Sequence, residues 1–168
     1  MTNSAPMISD VLLRETVELE LNEIEDKEQL IRHLSQMLFN AGKIRSVDEF
    51  VDAVYQRECM GPTYMSENVA FPHAKSDAVI SAGVAFGRSK DGILYESDDI
   101  SGLAKIVFLI AIPDEMESST YIEILKNLAR LLMREEFRES LLKAKCYEDV
   151  IGAVQHHEAL LAKRSLSQ

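Results

Sequence analysis

The part of the chain best suited to chemistry surrounds His73, which follows the short apolar run Val69–Phe71 and Pro72. Pro72 has no backbone donor and a fixed φ, so the apolar run should end there. His73 is therefore expected at a strand terminus or at the mouth of a loop, where open α/β sheets place their ligands. Imidazole has a pKa of about 6.5, so at neutral pH one ring nitrogen is a nucleophile while a hydrogen bond can hold the other. Such a side chain can accept a phosphoryl group.

Arg57 is the best upstream candidate to assist that chemistry. Phosphoryl transfer depends on positioning and on donors aimed at the equatorial oxygens, and in a chain with net charge −10 such positive groups must be local. A guanidinium matches phosphate geometry and keeps its charge. Two other interpretations remain open from the residues alone: Arg57 as a solvated residue at a helix C-terminus, and His73 as a polar residue near the surface.

The motif around these residues resembles a known family. The segments Arg57-Glu58, Gly61-Pro62-Thr63-Tyr64 and Asn68–Ala74 resemble the active-site segment of the fructose/mannitol-type enzyme IIA domains of the bacterial phosphoenolpyruvate-dependent sugar phosphotransferase system (PTS). That family carries an Arg-Glu pair, a Thr-containing loop and an apolar-Ala-apolar-Pro-His-small signature. The likeness extends over most of the chain, from the helix pair near 26–59 to the closing helices.

The resemblance implies a cytoplasmic phosphocarrier, which is a phosphotransferase. His73 would be phosphorylated by the histidine-containing carrier HPr, or a related carrier, and would pass the group to a cysteine of a cognate IIB domain. Arg57 would be the family arginine that supports the phosphoryl group. A membrane IIC subunit would recognise the sugar or polyol and be involved only indirectly. No cofactor is implied, because the phosphoryl group arrives on a protein and leaves on a protein.

One position departs from the family pattern. Many members have a second histidine at the start of the helix after the apolar strand, where this chain has Tyr121. A phenol donates one hydrogen bond but stays neutral at pH 7, so it cannot supply the charge of a protonated imidazole. We expect slower transfer, or a greater dependence on Arg57 and backbone N–H groups. Thr63, Tyr121 and Ser119 are the predicted supports of the phosphoryl site, although helix capping is the simpler interpretation of Ser119.

Two rival functions stay open on the sequence. The first is a regulatory IIA-like module whose phosphorylation state controls a transporter or transcription regulator, and Tyr121 slightly favours it. The second is a binding domain without phosphorylation, in which His73 is structural. The loop Gly61–Tyr64 resembles the mannitol-type sugar branch more than the nitrogen-regulatory branch.

The elements that must position these residues follow from hydrophobic periodicity and capping signals. Asp26 with Gln29 and Ser46 with Glu49 resemble capping boxes at the starts of two helices. The predicted helices are one at about 27–41 and one that follows the Ser46 cap and runs to about Cys59. A third follows a cap at Ser118 or Ser119 and has its apolar positions between Ile122 and Leu132, and two more lie at about 135–144 and 147–163. The predicted strands are 16–21, Val69–Phe71, Val79–Phe86, Ile93–Tyr95 and Ile106–Ile112. This pattern predicts an α/β layered sandwich with a central mixed sheet of about five strands and helices on both faces.

Composition limits the alternatives. The chain of 168 residues, 46% apolar and 27% charged, is close to average globular usage, so we expect one domain over 1–168 with an ordered core of about 8–163. Its negative charge argues against a nucleic-acid partner. No apolar stretch approaches the roughly 18 residues that would span a bilayer, and the N-terminus lacks the pattern of a signal peptide. We therefore expect a soluble, cytoplasmic protein without membrane insertion.

Metal and nucleotide sites are not predicted. The sequence has no glycine-rich phosphate loop, no Cys-x-x-Cys and no His-Glu-x-x-His. His156 and His157 are neighbours on a predicted helix and should point in different directions. Cys59 and Cys146 fit a reducing compartment and are expected to be buried thiols.

Overall fold

The computed structural model describes residues 5–98 and 100–166. In chain order the elements are α1 Ile8–Val11, β1 Leu12–Glu18, α2 Lys27–Asn40, α3 Val47–Glu58, β2 Val69–Ala70, β3 His73–Ser76, β4 Gly83–Tyr95, β5 Gly102–Pro113, α4 Ser118–Leu132, α5 Glu135–Lys143 and α6 Tyr147–Leu166.

The strands form one mixed five-stranded sheet in the order β1-β4-β5-β2, with β3 also pairing with β5. The central pair β4 and β5 is antiparallel, whereas β1 on β4, and β2 and β3 on β5, are parallel. Strand β5 is buried along most of its length, as its continuous apolar run predicts. The predicted α/β class with a mixed sheet of about five strands is confirmed.

Helices α2 and α3 begin where the capping signals place them. The Asp26 carboxylate accepts a hydrogen bond from the backbone N–H of Gln29 at 2.9 Å, and the Ser46 hydroxyl accepts one from Glu49 at 3.2 Å. Gly42 follows α2 with φ 75°, a backbone conformation that glycine adopts at little cost. Both helices therefore have the predicted boundaries to within a residue or two.

The apolar faces of α2 and α3 pack on the sheet and form its core. Removing these side chains from water is the main favourable contribution to the fold. The buried members from the two helices are Leu30, Ile31, Leu34, Leu38, Phe50, Val51 and Val54. Because α3 packs beside β3, its last turn lies next to the start of that strand. This contact brings Arg57 toward His73.

The chain forms two compact units, residues 12–116 and residues 5–11 with 117–166. The first holds the sheet with α2 and α3. In the second, the buried carboxylate of Glu158 on α6 accepts hydrogen bonds from the backbone N–H groups of Ile8 at 2.8 Å and Ser9 at 3.4 Å. Arg134 Nε there donates to His157 Nδ1 at 3.1 Å. The prediction of a single domain over 1–168 stays a prediction.

Several strand predictions are shifted. The first strand lies at Leu12–Glu18, four residues earlier than predicted, because Leu12 pairs with Val84 on β4. The two predicted strands at 79–86 and 93–95 are one strand, β4, whose ladder is interrupted between Arg88 and Ile93 without a turn. Strand β3 and helix α1 were not predicted. The sequence of β3 has no apolar run, and its strand conformation comes from parallel pairing with β5.

Two smaller expectations are wrong. Helix α4 begins at Ser118 with Glu117 as its N-cap residue and no side-chain cap bond, so Ser119 does not cap the helix. Cys59 and Cys146 are exposed, since each lies at the end of a helix or in a connection rather than on an apolar face. Within the described residues, no helix is long and apolar enough to cross a bilayer.

Candidate active site

His73 is the first residue of β3, where it pairs with Ile110 of β5. The backbone N–H of Ile110 bonds the carbonyl of Pro72 at 3.1 Å, which fixes the chain just before the histidine. Only 2% of His73 is exposed. The sequence predicted a strand terminus for this residue, and the structure places it at the beginning of a strand.

Two hydrogen bonds define the protonation of the His73 ring. The Nδ1 atom lies 2.9 Å from the carbonyl oxygen of Phe71, and Arg57 Nε donates to Nε2 at 3.2 Å. A carbonyl can only accept and a guanidinium can only donate, so this arrangement requires the proton on Nδ1 and the lone pair on Nε2. Nε2 is therefore the nucleophilic nitrogen of the ring.

The surroundings of His73 favour its neutral form. Burial lowers the pKa of the imidazole below its ordinary value of 6.5, and the positive charge of Arg57 lowers it further. The Phe71 carbonyl and the negative charge of Glu58 oppose this shift. The net direction is downward, so the nucleophilic form dominates at neutral pH.

Arg57 lies in the last turn of α3 and is half-buried. Besides contacting His73, its guanidinium donates through Nη1 to the carbonyl of Gly61 at 3.1 Å. Gly61 has φ 151°, which L side chains rarely adopt, so the turn that offers this carbonyl favours glycine. Arg57 therefore lies at a helix C-terminus, as one interpretation of the sequence expected, and its guanidinium is hydrogen-bonded within the protein.

Thr63 is completely buried and does not contact the His73 ring in any described hydrogen bond. Its hydroxyl donates to Oε1 of Glu58, which also accepts from the hydroxyl of Tyr95 at 2.9 Å. Glu58 belongs to the Arg-Glu pair of the motif but is not among the site residues predicted from the sequence, and Tyr95 is not among them either. The signal for Glu58 was an acidic residue at the end of a helix, where the helix dipole disfavours negative charge.

Tyr121 and Ser119 lie in the first turn of α4, in the unit of residues 5–11 and 117–166. Tyr121 is half-buried and its backbone N–H bonds the carbonyl of Glu117 at 3.1 Å, whereas Ser119 is exposed. Their predicted contribution to the phosphoryl site stays a prediction.

The loop before β2 turns sharply. Glu67 and Asn68 have φ of 54° and 63°, in the left-handed region. The Asn68 side chain donates to the backbone carbonyl of Leu103 at 2.8 Å. The backbone carbonyl of Asn68 accepts from the backbone N–H of Lys105 at 2.8 Å. These bonds anchor the segment that leads to Pro72 and His73.

This fold and this histidine site define the class of the protein. Residues 10–157 match the family described as "Phosphoenolpyruvate-dependent sugar phosphotransferase system, EIIA 2", and the chain belongs to that family. Its members are phosphotransferases that carry a phosphoryl group on histidine. The resemblance recognised in the sequence is thereby confirmed.

Two curated relatives and one solved structure illustrate the similarity. The chain is 38% identical over 151 residues to the PTS system fructose-specific EIIABC component of Bacillus subtilis, covering 90% of this chain and 23% of that protein. It is 36% identical over 136 residues to the PTS system fructose-specific EIIA component of Haloferax volcanii, covering 79% of this chain and 87% of that protein. The chain thus spans about a quarter of the first relative and most of the second.

The structural comparison gives the same class. The solution structure of the complex of enzyme IIAMTL and phosphorylated enzyme IIBMTL from Escherichia coli is similar with a TM-score of 0.68 and 25% identity, covering 87% of this chain and 99% of that chain. That protein was therefore seen with a phosphorylated IIB partner.

Proposed function

We propose that this chain is a cytoplasmic phosphocarrier that accepts a phosphoryl group on Nε2 of His73 from HPr or a related carrier and passes it to a cognate IIB domain. The observation that carries the proposal is the ring of His73. Its Nδ1–H is held by the Phe71 carbonyl, and its Nε2 lone pair faces Arg57.

Phosphoryl transfer through His73 needs no cofactor. The Nε2 lone pair attacks phosphorus, a P–N bond forms, and the bond between phosphorus and the donor's histidine nitrogen breaks with its electron pair returning to the donor. In the second step a IIB thiolate attacks the same phosphorus and the electron pair of the P–N bond returns to Nε2. The proton on Nδ1 stays on the ring throughout and is donated to the Phe71 carbonyl.

Arg57 has a role in both states of the carrier. Its Nε–H occupies the Nε2 lone pair of the unphosphorylated ring, so the incoming phosphoryl group takes the place of this hydrogen bond. The released guanidinium is then beside the phosphoryl oxygens, which a planar pair of donors suits. Charge stabilisation of this kind is the main contribution a protein makes to phosphoryl transfer.

The test is intact-protein mass spectrometry after incubation with phosphoenolpyruvate, enzyme I and HPr. Wild type should gain one acid-labile phosphoryl group and His73→Ala none, because the nucleophile is gone. His33→Ala is the matched control, since His33 is half-exposed on α2 and pairs with Glu18 away from the site. Uptake by His73→Ala at the wild-type rate, or no uptake by wild type, would contradict the proposal.

The recipient of the group separates transport from regulation. Tyr121 in place of the second family histidine favours the regulatory alternative, in which the phosphorylated state is read by a transporter or regulator. Labelled phosphorylated chain is mixed with IIB domains encoded beside it. Transfer of the label to a IIB cysteine supports the carrier role, and retention of the label on His73 supports the regulatory one.

A further inference from the structure

A buried carboxylate lies directly after Arg57. The side chain of Glu58 is 5% exposed, and its Oε2 forms an ion pair with Lys27 Nζ at 2.7 Å. Its Oε1 accepts from the hydroxyls of Thr63 and Tyr95, whose own oxygens are 2.8 Å apart. A buried charge is costly unless it is paired and hydrogen-bonded, and Glu58 is both.

Glu58 and its three partners come from four separate parts of the chain. Lys27 is the first residue of α2, Glu58 the last of α3, Tyr95 the last of β4, and Thr63 lies in the connection after α3. Lys27 Nζ also donates to the carbonyl of Glu96 at 2.7 Å and lies 4.5 Å from the centre of the Tyr95 ring. Burial and the charge of Glu58 raise the pKa of Tyr95, so its hydroxyl stays protonated and donates.

This cluster is connected to both partners of the His73 ring. The Thr63 carbonyl accepts from the backbone N–H of Phe71 at 2.9 Å, and the Phe71 carbonyl in turn holds His73 Nδ1. Arg57 precedes Glu58 in the chain, and its Nη1 bonds Gly61 within the same connection. Fixing Glu58 and Thr63 therefore fixes the positions of the two groups that orient the ring.

We propose that Glu58, held by Lys27, Thr63 and Tyr95, is a positioning residue for phosphoryl transfer. Through Thr63 and Phe71 it sets the tautomer and the orientation of the His73 ring. Through the last turn of α3 it sets the position of the Arg57 guanidinium. The inference rests on the proposed function of His73. A displacement of the reacting nitrogen by about 1 Å is enough to slow transfer, because the reaction requires in-line geometry.

The first variant is Thr63→Val, which removes the hydroxyl and keeps the volume. Its matched control is Thr16→Val, because Thr16 is equally buried and donates to the Val84 carbonyl at 2.8 Å, between β1 and β4. We expect Thr63→Val to lower the rate of phosphorylation by HPr about tenfold and Thr16→Val to leave it unchanged. Thr63→Ser, which restores the hydroxyl, should recover most of the rate.

The second measurement needs no phosphoryl transfer. Ring ¹⁵N chemical shifts of His73 report which nitrogen carries the proton. In wild type and in Thr16→Val we expect the shifts of a ring whose proton is on Nδ1. In Thr63→Val we expect the two ring ¹⁵N shifts to move toward the average of the two tautomers. If the Thr63 hydroxyl had only a structural role, Thr63→Val would lower the free energy of unfolding about as much as Thr16→Val does. It would then leave the His73 ring ¹⁵N shifts unchanged.

The third variant is Glu58→Gln, which keeps the shape and removes the charge. It should lower the pKa of His73 further, because the Glu58 charge raises that pKa in wild type. Transfer should slow at least as much as in Thr63→Val.

The inference is overturned if Thr63→Val and Thr16→Val show the same His73 shifts and the same transfer rate. A wild type that takes up no phosphoryl group would instead reject the proposed function. The ¹⁵N shifts would still decide whether Glu58 and Thr63 position the ring.

Discussion

The imidazole of His73 illustrates how one residue is specialised by its neighbours. The Phe71 carbonyl selects the tautomer, burial keeps the ring neutral, and Arg57 donates a hydrogen bond to Nε2. Each effect comes from a different part of the chain. His33, which is half-exposed on α2 and pairs with Glu18, has a different set of contacts.

A pH dependence follows at this residue. The folded-state pKa of His73 lies below the ordinary value of 6.5, so the unfolded chain binds the proton more tightly. The stability contributed by this group is fully present above about pH 6.5 and is lost as pH falls through the folded-state pKa. Phosphoryl acceptance should likewise persist below pH 6.5, until the folded ring is protonated.

The measurement is an NMR titration of the His73 ring in wild type and in Arg57→Gln. Removing the guanidinium removes a positive charge that lowers the pKa, so the variant should titrate at a higher pH. A wild-type midpoint at or above 6.5, or the same midpoint in both proteins, would contradict this account.

At the scale of elements, helices were more predictable than strands. The capping residues Asp26 and Ser46 act within one turn, so their signals are readable in the local sequence. Strand β3 depends on residues 110–113, almost forty positions away, and has no periodicity of its own. Helix α1 is four residues long and is anchored by Glu158. Pairing partners of this kind are invisible to a local pattern.

The candidate site divides in the same way. His73 and Arg57 were predictable because their side chains have the required chemistry and a recognisable motif. Lys27 and Tyr95 were not, because they reach Glu58 only when α2 and β4 pack together. A lysine at a helix start and a tyrosine in a strand have no distinguishing spacing in sequence.

The cap of α3 gives a prediction for an element. Ser46→Ala removes the acceptor for the Glu49 N–H and should lower the free energy of unfolding by about 1 kcal/mol. Equilibrium unfolding in urea measures this change in free energy. The control is Ser118→Ala. Ser118 begins α4, which has no side-chain cap bond, so removing the Ser118 hydroxyl should change the free energy of unfolding little. Since the cap is at the opposite end of α3 from Arg57, the transfer rate of Ser46→Ala should equal that of wild type; a slower rate would refute the prediction.

At the scale of the whole molecule, the net charge of −10 affects how partners arrive. Opposite charges raise association rates, and salt screens the effect beyond a Debye length of about 10 Å at 0.1 M. We expect phosphorylation by a basic carrier, at carrier concentrations below saturation, to slow as ionic strength rises from about 0.01 to 0.15 M.

Stopped-flow or quench-flow rates at several salt concentrations test this expectation. Arg57→Lys is the control, since it alters the site and conserves the charge, so its rate should be lower with the same salt slope. A rate independent of salt in wild type would show that charge does not steer this encounter.

The hydrogen bond between Ile8 and Glu158 joins residues 150 positions apart. Contacts of this kind form late, because a long loop must close before they contribute any free energy. On the ribosome, residues 12–116 are all synthesised before Glu158 emerges, so their sheet can assemble while α1 still lacks its partner carboxylate. Helix α1 is synthesised before the sheet and before α6, and of these segments it should be the last to acquire its native contacts.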